Sequence, residues 1–228
     1  MKEQIDLLNR GESKYQAKDF LGAIKDFRKV IELYPDEYYS YFAYFGRGQA
    51  KCGIKDYAGA INDYSEAIRL IGNDFGFSIR GIKDSSNDIV INKNQVHLFR
   101  AIAKYVIKDY VGAIQDFSKA IELGINDYQA YAGRGESRLI TKDYSGAIRD
   151  FSKIMEFFPN SPQAYINRGK AKFEMGDYSG AINDYSRAIE FYPQNLYYYD
   201  YCIEAYERLN DSKGVQMMKE KKAIAERG

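Results

Sequence analysis

Hydrophobic and polar residues follow the same helical pattern five times along the chain. Each copy contains the run Asp, aromatic, any residue, Gly-Ala-Ile, and the runs begin at Asp19, Asp56, Asp109, Asp143 and Asp177. In every copy a Phe or Tyr follows the Ala by four positions, and a small or short aliphatic residue comes three positions later. These spacings place the three side chains on one face of an α-helix, so the pattern predicts a helix after each Asp.

A second helix is predicted before each run. We number the positions of each copy so that the Ala is position 20, which puts position 1 at Gln4, Tyr41, Asn94, Tyr128 and Pro162. A small residue recurs at position 8: Gly11, Gly48, Ala101, Gly135 and Gly169. It lets the aromatic at position 24 of the second helix approach closely. The Asp at position 16 is expected to cap that helix, and Pro35, Pro159 and Pro193 to end it.

The spacing of the copies indicates a stacked array. Successive runs start 37, 53, 34 and 34 residues apart. A repeated helix pair of this length cannot bury its apolar face alone, so neighbouring copies must stack. Together the positions resemble the tetratricopeptide repeat, a 34-residue helix-turn-helix unit. Position 11 departs from the family pattern, because a Tyr is usual there and this chain has Lys14, Lys51, Lys104, Arg138 and Lys172.

The resemblance implies an all-α, right-handed α-solenoid that occupies residues 1–228 as a single domain. The five full repeats are predicted at 4–37, 41–74, 94–127, 128–161 and 162–195, followed by a pair of capping helices over 196–228. Residues 75–93 interrupt the array. This insertion could form a small β-hairpin or longer helices joined by the polar turn Asp84–Asp88, and it either shapes the binding face or acts as a spacer.

Composition and charge narrow the classes of function. Hydrophobic residues make up 45% of the chain, and 33 basic against 32 acidic side chains give a net charge of +1. Nucleic-acid binders usually carry a clear basic excess, so we expect no nucleic-acid partner. No signal peptide and no apolar stretch long enough to span a bilayer is visible, which favours a cytoplasmic protein without membrane insertion. Cys52 and Cys202 are expected to be packed thiols.

Two recurring charges are predicted to be structural. Position 7 is always Arg and position 23 is always Asp: Arg10, Arg47, Arg100, Arg134 and Arg168, with Asp26, Asp63, Asp116, Asp150 and Asp184. Matched numbers in strict register favour ion pairs between the two helices of a repeat over an arginine ladder for an acidic ligand. His97, the only histidine, stands where other repeats have Tyr or Leu, and we expect it to pack there. We find no motif for an enzyme, a metal or a cofactor.

The resemblance also implies where a partner binds. In the family, first helices line a concave groove with positions 2, 5, 6, 9, 12 and 13. The candidate groove residues are Phe42, Phe45, Gln49, Gln95, Phe99, Ile102, Gln129, Glu136, Gln163, Asn167, Lys170, Tyr197 and Tyr201. Phe42, Phe45, Phe99 and Tyr105 are candidate anchors, or else some of them pack between neighbouring first helices. Leu8 and Glu12 replace the first residues of the family's carboxylate clamp, so we do not predict that clamp.

Two functions remain open at this point. The first is a non-enzymatic scaffold that binds a peptide or segment of another protein in the groove. The second is a self-assembling protein, in which the tyrosine-rich stretches Tyr38–Tyr44 and Tyr197–Tyr201 or an end repeat make contacts between copies. A homo-oligomer is therefore possible in addition to a protein or peptide partner.

Overall fold

The structure is a computed structural model that describes residues 2–35, 38–71, 77–83 and 88–227. These residues form helices at Lys2–Gln16 (α1), Phe20–Leu33 (α2), Tyr38–Gly53 (α3), Tyr57–Ile71 (α4), Lys93–Val106 (α5), Tyr110–Glu122 (α6), Tyr128–Ile140 (α7), Tyr144–Phe157 (α8), Pro162–Glu174 (α9), Tyr178–Phe191 (α10), Leu196–Arg208 (α11) and Ser212–Ala225 (α12), and strands at Phe77–Lys83 (β1) and Asp88–Ile91 (β2). Each predicted repeat contains one helix pair.

The chain divides into two compact units, residues 1–126 and 127–228, here called the N-terminal and C-terminal units. In the N-terminal unit each helix packs on the next from α1 to α6, and α1 also contacts α3. In the C-terminal unit the same succession runs from α7 to α12. The all-α fold of stacked helix pairs is therefore confirmed in each unit, with α11 and α12 as the predicted capping pair. The single domain over 1–228 stays a prediction.

The insertion forms a β-hairpin, the first of its two predicted conformations. Strands β1 and β2 pair antiparallel, with Phe77 opposite Ile91 and Lys83 opposite Asp88, and the register is irregular between Ser78 and Lys83. Although the hairpin follows α4 in the chain, β1 contacts α1. Residues 84–87 of the predicted polar turn Asp84–Asp88 and residues 75–76 at the start of the insertion lie outside the described residues.

The aromatic residue at position 24 is the centre of each repeat. Phe27, Tyr64, Phe117, Phe151 and Tyr185 are all buried. The small residue at position 8 faces this ring, as predicted. A Cβ added at Gly48 would lie 2.7 Å from Tyr64 Cε1, which is closer than real Cβ contacts come. Larger residues at this position would therefore separate the two helices of the repeat.

The recurring Asp-aromatic-x-Gly sequence is a helix cap. The Gly22 N–H donates a hydrogen bond of 2.9 Å to Asp19 Oδ1, and the other four repeats form the same bond at 2.9–3.0 Å. A Cβ at Gly22 would lie only 2.0 Å from Asp19 Oδ2. Asp satisfies a free backbone donor of the first turn, and Gly leaves room for the carboxylate. The predicted cap is confirmed, and α2, α8 and α10 end two residues before Pro35, Pro159 and Pro193.

Candidate partner-binding surface

Ion pairs join the two helices of every repeat. The Asp at position 23 is buried in each, and the Arg at position 7 donates two hydrogen bonds to its carboxylate. In the second repeat Arg47 Nε lies 2.9 Å from Asp63 Oδ2, and Nη2 lies 2.7 Å from Oδ1. The same pairing joins Arg10 to Asp26, Arg100 to Asp116, Arg134 to Asp150 and Arg168 to Asp184. The prediction that these residues are structural is confirmed.

A second cation reaches the same carboxylate, and the sequence argument missed it. Position 11 lies one helical turn after position 7. Lys51 Nζ is 2.8 Å from Asp63 Oδ2, and Arg138 Nη1 is 2.7 Å from Asp150 Oδ2. Lys14, Lys104 and Lys172 form the same bridge at 2.8 Å in the other three repeats. The signal was present as the departure from Tyr at position 11, because a basic residue there recurs in register with the Asp.

His97 adds a third partner to the carboxylate in the third repeat. It is buried, as predicted, and its Nδ1 lies 2.9 Å from Asp116 Oδ1. Burial by itself raises the pKa of Asp116, but hydrogen bonds from His97, Arg100 and Lys104 outweigh it and hold that pKa well below its ordinary value. In the second, fourth and fifth repeats a Tyr occupies this position and lies under the Arg, with Arg47 5.3 Å from the centroid of the Tyr44 ring. These residues therefore belong to the scaffold.

The aromatic groove candidates of the N-terminal unit lie in its core. Phe42 is 4% exposed and Phe45 is 6% exposed. The Phe45 ring meets Phe99 edge-on with centroids 5.4 Å apart. Packing, one of the two roles predicted for these rings, therefore accounts for Phe42 and Phe45, and they leave a partner little surface. Ile102 remains exposed, while Gln95 Oε1 accepts a hydrogen bond from the Asn92 backbone N–H at the start of α5.

The candidates of the C-terminal unit are more open. Gln129, Gln163 and Tyr197 are exposed at position 2 of successive first helices. Asn167 is buried and accepts a hydrogen bond of 2.9 Å from Gln163 Nε2. Gln49, Phe99 and Glu136 are half-buried.

Lys170 and Tyr201 are brought together, with Lys170 Nζ 4.5 Å from the centroid of the Tyr201 ring. A cavity of about 420 Å³ contains this pair, and most of its lining residues lie on α7, α9 and α11. Its lining residues are Leu139, Ile140, Lys142, Tyr144, Lys170, Phe173, Glu174, Tyr185, Tyr201 and Glu204. Leu139, Ile140, Phe173 and Glu174 occupy positions 12 and 13, which the family resemblance assigns to the groove.

The walls of this cavity are apolar and its edge carries both signs of charge. Leu139, Ile140 and Phe173 contribute hydrocarbon, whereas lysines and glutamates stand around them. Tyr144 donates a hydrogen bond of 3.2 Å to Glu174 Oε2. Such a site can bury an apolar side chain of a ligand while polar groups at the edge fix its orientation.

Both cysteines are free thiols, as expected. Cys202 is buried, and burial raises the pKa of its thiol to about 11. Within the described part of the chain, no helix combines the length and apolarity needed to cross a bilayer.

Comparisons with known proteins agree with this geometry. Two family models, both described as tetratricopeptide repeat, match residues 7–37 and 162–195. This is a tetratricopeptide repeat protein. Such repeats form a scaffold class rather than a catalytic one, and the class serves protein interactions. No curated protein sequence matches the chain.

Solved structures of other tetratricopeptide repeat proteins share the fold. The crystal structure of MamA has a TM-score of 0.68 at 21% identity, with 87% of this chain and 97% of that one covered. YrrB, described as a TPR protein with an unusual peptide-binding site, has a TM-score of 0.72 at 17% identity, covering 90% and 93%. A tetratricopeptide repeat protein from Parabacteroides merdae gives 0.69 at 15% identity, covering 97% and 79%. At these identities the similarity shows the fold alone.

Proposed function

We propose that this repeat protein is a scaffold that binds an extended segment of a partner protein on the first helices of its C-terminal unit. The observation that carries the proposal is the cavity of about 420 Å³ on α7, α9 and α11, which contains Lys170 and Tyr201 from the predicted groove. It combines apolar walls with a few polar groups, as ligand sites in proteins do. The proposal involves no catalytic step and no nucleic acid, and it places the protein in the cytoplasm.

The N-terminal unit supports this choice of surface by contrast. Its large groove aromatics Phe42 and Phe45 are used in the core. The hairpin strand β1 contacts α1, the first of its groove helices. The two buried rings leave a ligand less of the first-helix face in that unit.

The chemistry of the cavity indicates the kind of segment it fits. An apolar side chain would pack on Ile140 and Phe173, and the exposed amides of Gln129 and Gln163 can hydrogen-bond to the backbone of an extended chain. An extended peptide exposes its backbone groups at regular spacing, so amides on successive repeats suit it. The mixed charges at the edge favour a segment without a strong net charge.

A matched pair of variants tests this surface. Ile140 lines the cavity and is 48% exposed, whereas Ile107 is 47% exposed and lies in the N-terminal unit. Peptides selected from a random library on the intact protein should lose affinity by about tenfold or more with Ile140→Asp, because the charge must be buried under the ligand. Ile107→Asp should leave affinity unchanged. Equal binding to both variants, or failure to select any peptide, would refute the proposal.

Self-assembly is the second candidate. Tyr197 is 73% exposed, so one of the two tyrosine-rich stretches is available for contacts between copies. The other stretch is less available, because Tyr41 lies in the core. Sedimentation equilibrium over a concentration series should show a reversible increase in mass that Tyr197→Ser abolishes. A constant monomer mass would exclude this candidate and leave the scaffold proposal intact.

A further inference from the structure

The C-terminal unit has a second concave surface, formed by the turn between α8 and α9. A cavity of about 570 Å³ is lined there by Tyr128, Phe157, Phe158, Pro159, Asn160 and Ser161. Phe158 is 51% exposed and Tyr128 is 44% exposed. Their rings meet edge-on, with centroids 5.4 Å apart and planes at 83°. Two exposed rings at a right angle form an apolar wedge-shaped cleft, which differs from the isolated exposed residues found on most surfaces.

The lining of this cleft is neutral, and part of its hydrogen-bonding capacity is unused. None of the six lining residues is charged. The Ser161 hydroxyl caps α9 and accepts a hydrogen bond of 3.4 Å from the Ala164 N–H. Among the described residues, the hydroxyl of Tyr128 and the side-chain amide of Asn160 have no hydrogen-bond partner. The cleft therefore offers aromatic faces and two polar groups that can donate to a ligand.

The same sequence feature recurs one repeat later. Phe158-Pro159 corresponds to Tyr192-Pro193, and Tyr192 is exposed as well. A cavity of about 360 Å³ adjoins this second turn, and its lining residues are Pro193, Gln194, Tyr199, Lys221, Ile224 and Ala225. The helix ends before each Pro because the ring cannot continue it. Two aromatic-proline turns with adjoining cavities thus stand on consecutive repeats of the C-terminal unit.

We propose that these turns bind a proline-rich segment of a partner protein in the polyproline II conformation. Such a segment has no internal hydrogen bonds, so its carbonyl groups are free to accept from Tyr128 and Asn160. Its proline rings pack on aromatic faces, and its stiffness lowers the entropy lost on binding. The two turns are separated by the helix pair α9 and α10, so a segment that contacts both must be longer than one polyproline II turn of three residues.

The uncharged lining of the first cavity makes other occupants less favourable. A basic or acidic segment would gain no ion pair from the six residues of the first cavity. An amphipathic helix needs a longer apolar groove than one turn between helices provides. A second copy of this chain would contact the same rings, and it is treated as an outcome of the test.

The test uses the intact protein and a fluorescein-labelled peptide of ten prolines. We expect saturable binding in fluorescence anisotropy, with a Kd below about 1 mM. Phe158→Ala should weaken binding by about tenfold, because exposed aromatic rings dominate such contacts. Asn160→Ala, a change at an exposed residue that leaves the helices intact, should weaken it severalfold. Circular dichroism should show unchanged helix content in both variants.

The control separates this proposal from the proposed function. Ile140→Asp changes the cavity on the first helices and should leave decaproline binding unchanged. The proposal is overturned if decaproline does not saturate, if a glycine-serine peptide of the same length binds equally well, or if both the Phe158 and Asn160 variants bind as the wild type does. It is also overturned if the protein forms a dimer that Phe158→Ala dissociates, because the cleft would then hold a second copy.

Discussion

Removal of a buried carboxylate should destabilise the protein, and the loss should be larger where the two cationic side chains bound to that carboxylate are less exposed to solvent. In the second repeat Asp63 is buried between Arg47 and Lys51, whose side chains are 15% and 18% exposed. Asp63→Asn keeps the shape of the side chain but removes the negative charge that compensates both cations. Breaking a buried ion pair by removing one partner costs about 3–5 kcal/mol. Because both cations retain some contact with water, we expect about 3 kcal/mol in the free energy of unfolding.

The first repeat provides a matched control. Asp26 makes the same contacts, but the Arg10 side chain is 57% exposed and Lys14 is 33% exposed. Water can therefore solvate these cations after the carboxylate is lost, and Asp26→Asn should cost less than half as much as the change at Asp63. Urea unfolding of each variant, followed by circular dichroism, measures both values.

A rescue variant tests the cause of the destabilisation. Adding Lys51→Met to Asp63→Asn removes one uncompensated cation and should recover about 1 kcal/mol or more. Equal losses for the two Asp→Asn variants, or a loss at Asp63 below about 0.5 kcal/mol, would contradict the argument, because solvent exposure would then not govern the cost.

Three further predictions concern pH, backbone strain and thiols. The pKa of Asp116 lies below its ordinary value. Its ionised carboxylate therefore stabilises the fold above about pH 4, and this stabilisation is lost as the pH falls toward the folded-state pKa. In Asp116→Asn, the free energy of unfolding in urea should accordingly fall less steeply at acid pH than in the wild type. Lys55 follows α3 with φ of 65°, at the position where the fifth repeat has Gly176. Lys55→Gly should therefore raise the free energy of unfolding by roughly 0.5–1 kcal/mol, and Gly176→Lys should lower it. A lower melting temperature for Lys55→Gly, or a higher one for Gly176→Lys, would contradict this prediction. Cys202, with its buried thiol, should react with Ellman's reagent more slowly than the half-buried Cys52, and equal rates would indicate an opening of α10 and α11.

The helices and their caps could be predicted because their signals are local. Asp19 and Gly22 are three residues apart, and the cap depends only on the backbone of one helical turn. The pairing of Arg47 with Asp63 was predictable because both positions recur in every repeat. The second cation, Lys51, was visible as a departure from the family pattern, but its partner became evident only from the position of the carboxylate.

The candidate site was less predictable because burial depends on neighbours. Phe45 and Ala132 occupy the same position of different repeats. The Phe45 ring packs against Tyr64 of α4 and Phe99 of α5, with ring centroids 5.8 Å and 5.4 Å away. Around Ala132 the smaller side chain leaves the first-helix face more open. A repeat pattern assigns both residues to the groove, whereas the volumes of adjacent side chains decide which of them a partner can reach.

The amino-acid sequence by itself determined the repeated helix pairs, their caps and the Arg–Asp pairs of this protein, because spacings within one repeat of about 34 residues specify them. The tertiary structure alone decided that Phe42 and Phe45 are core residues, that β1 returns to contact α1, and that the turn after α8 forms an aromatic cleft. These features arise from contacts between residues distant in the chain. Their geometry depends on how neighbouring side chains fill space, and no periodic spacing encodes it.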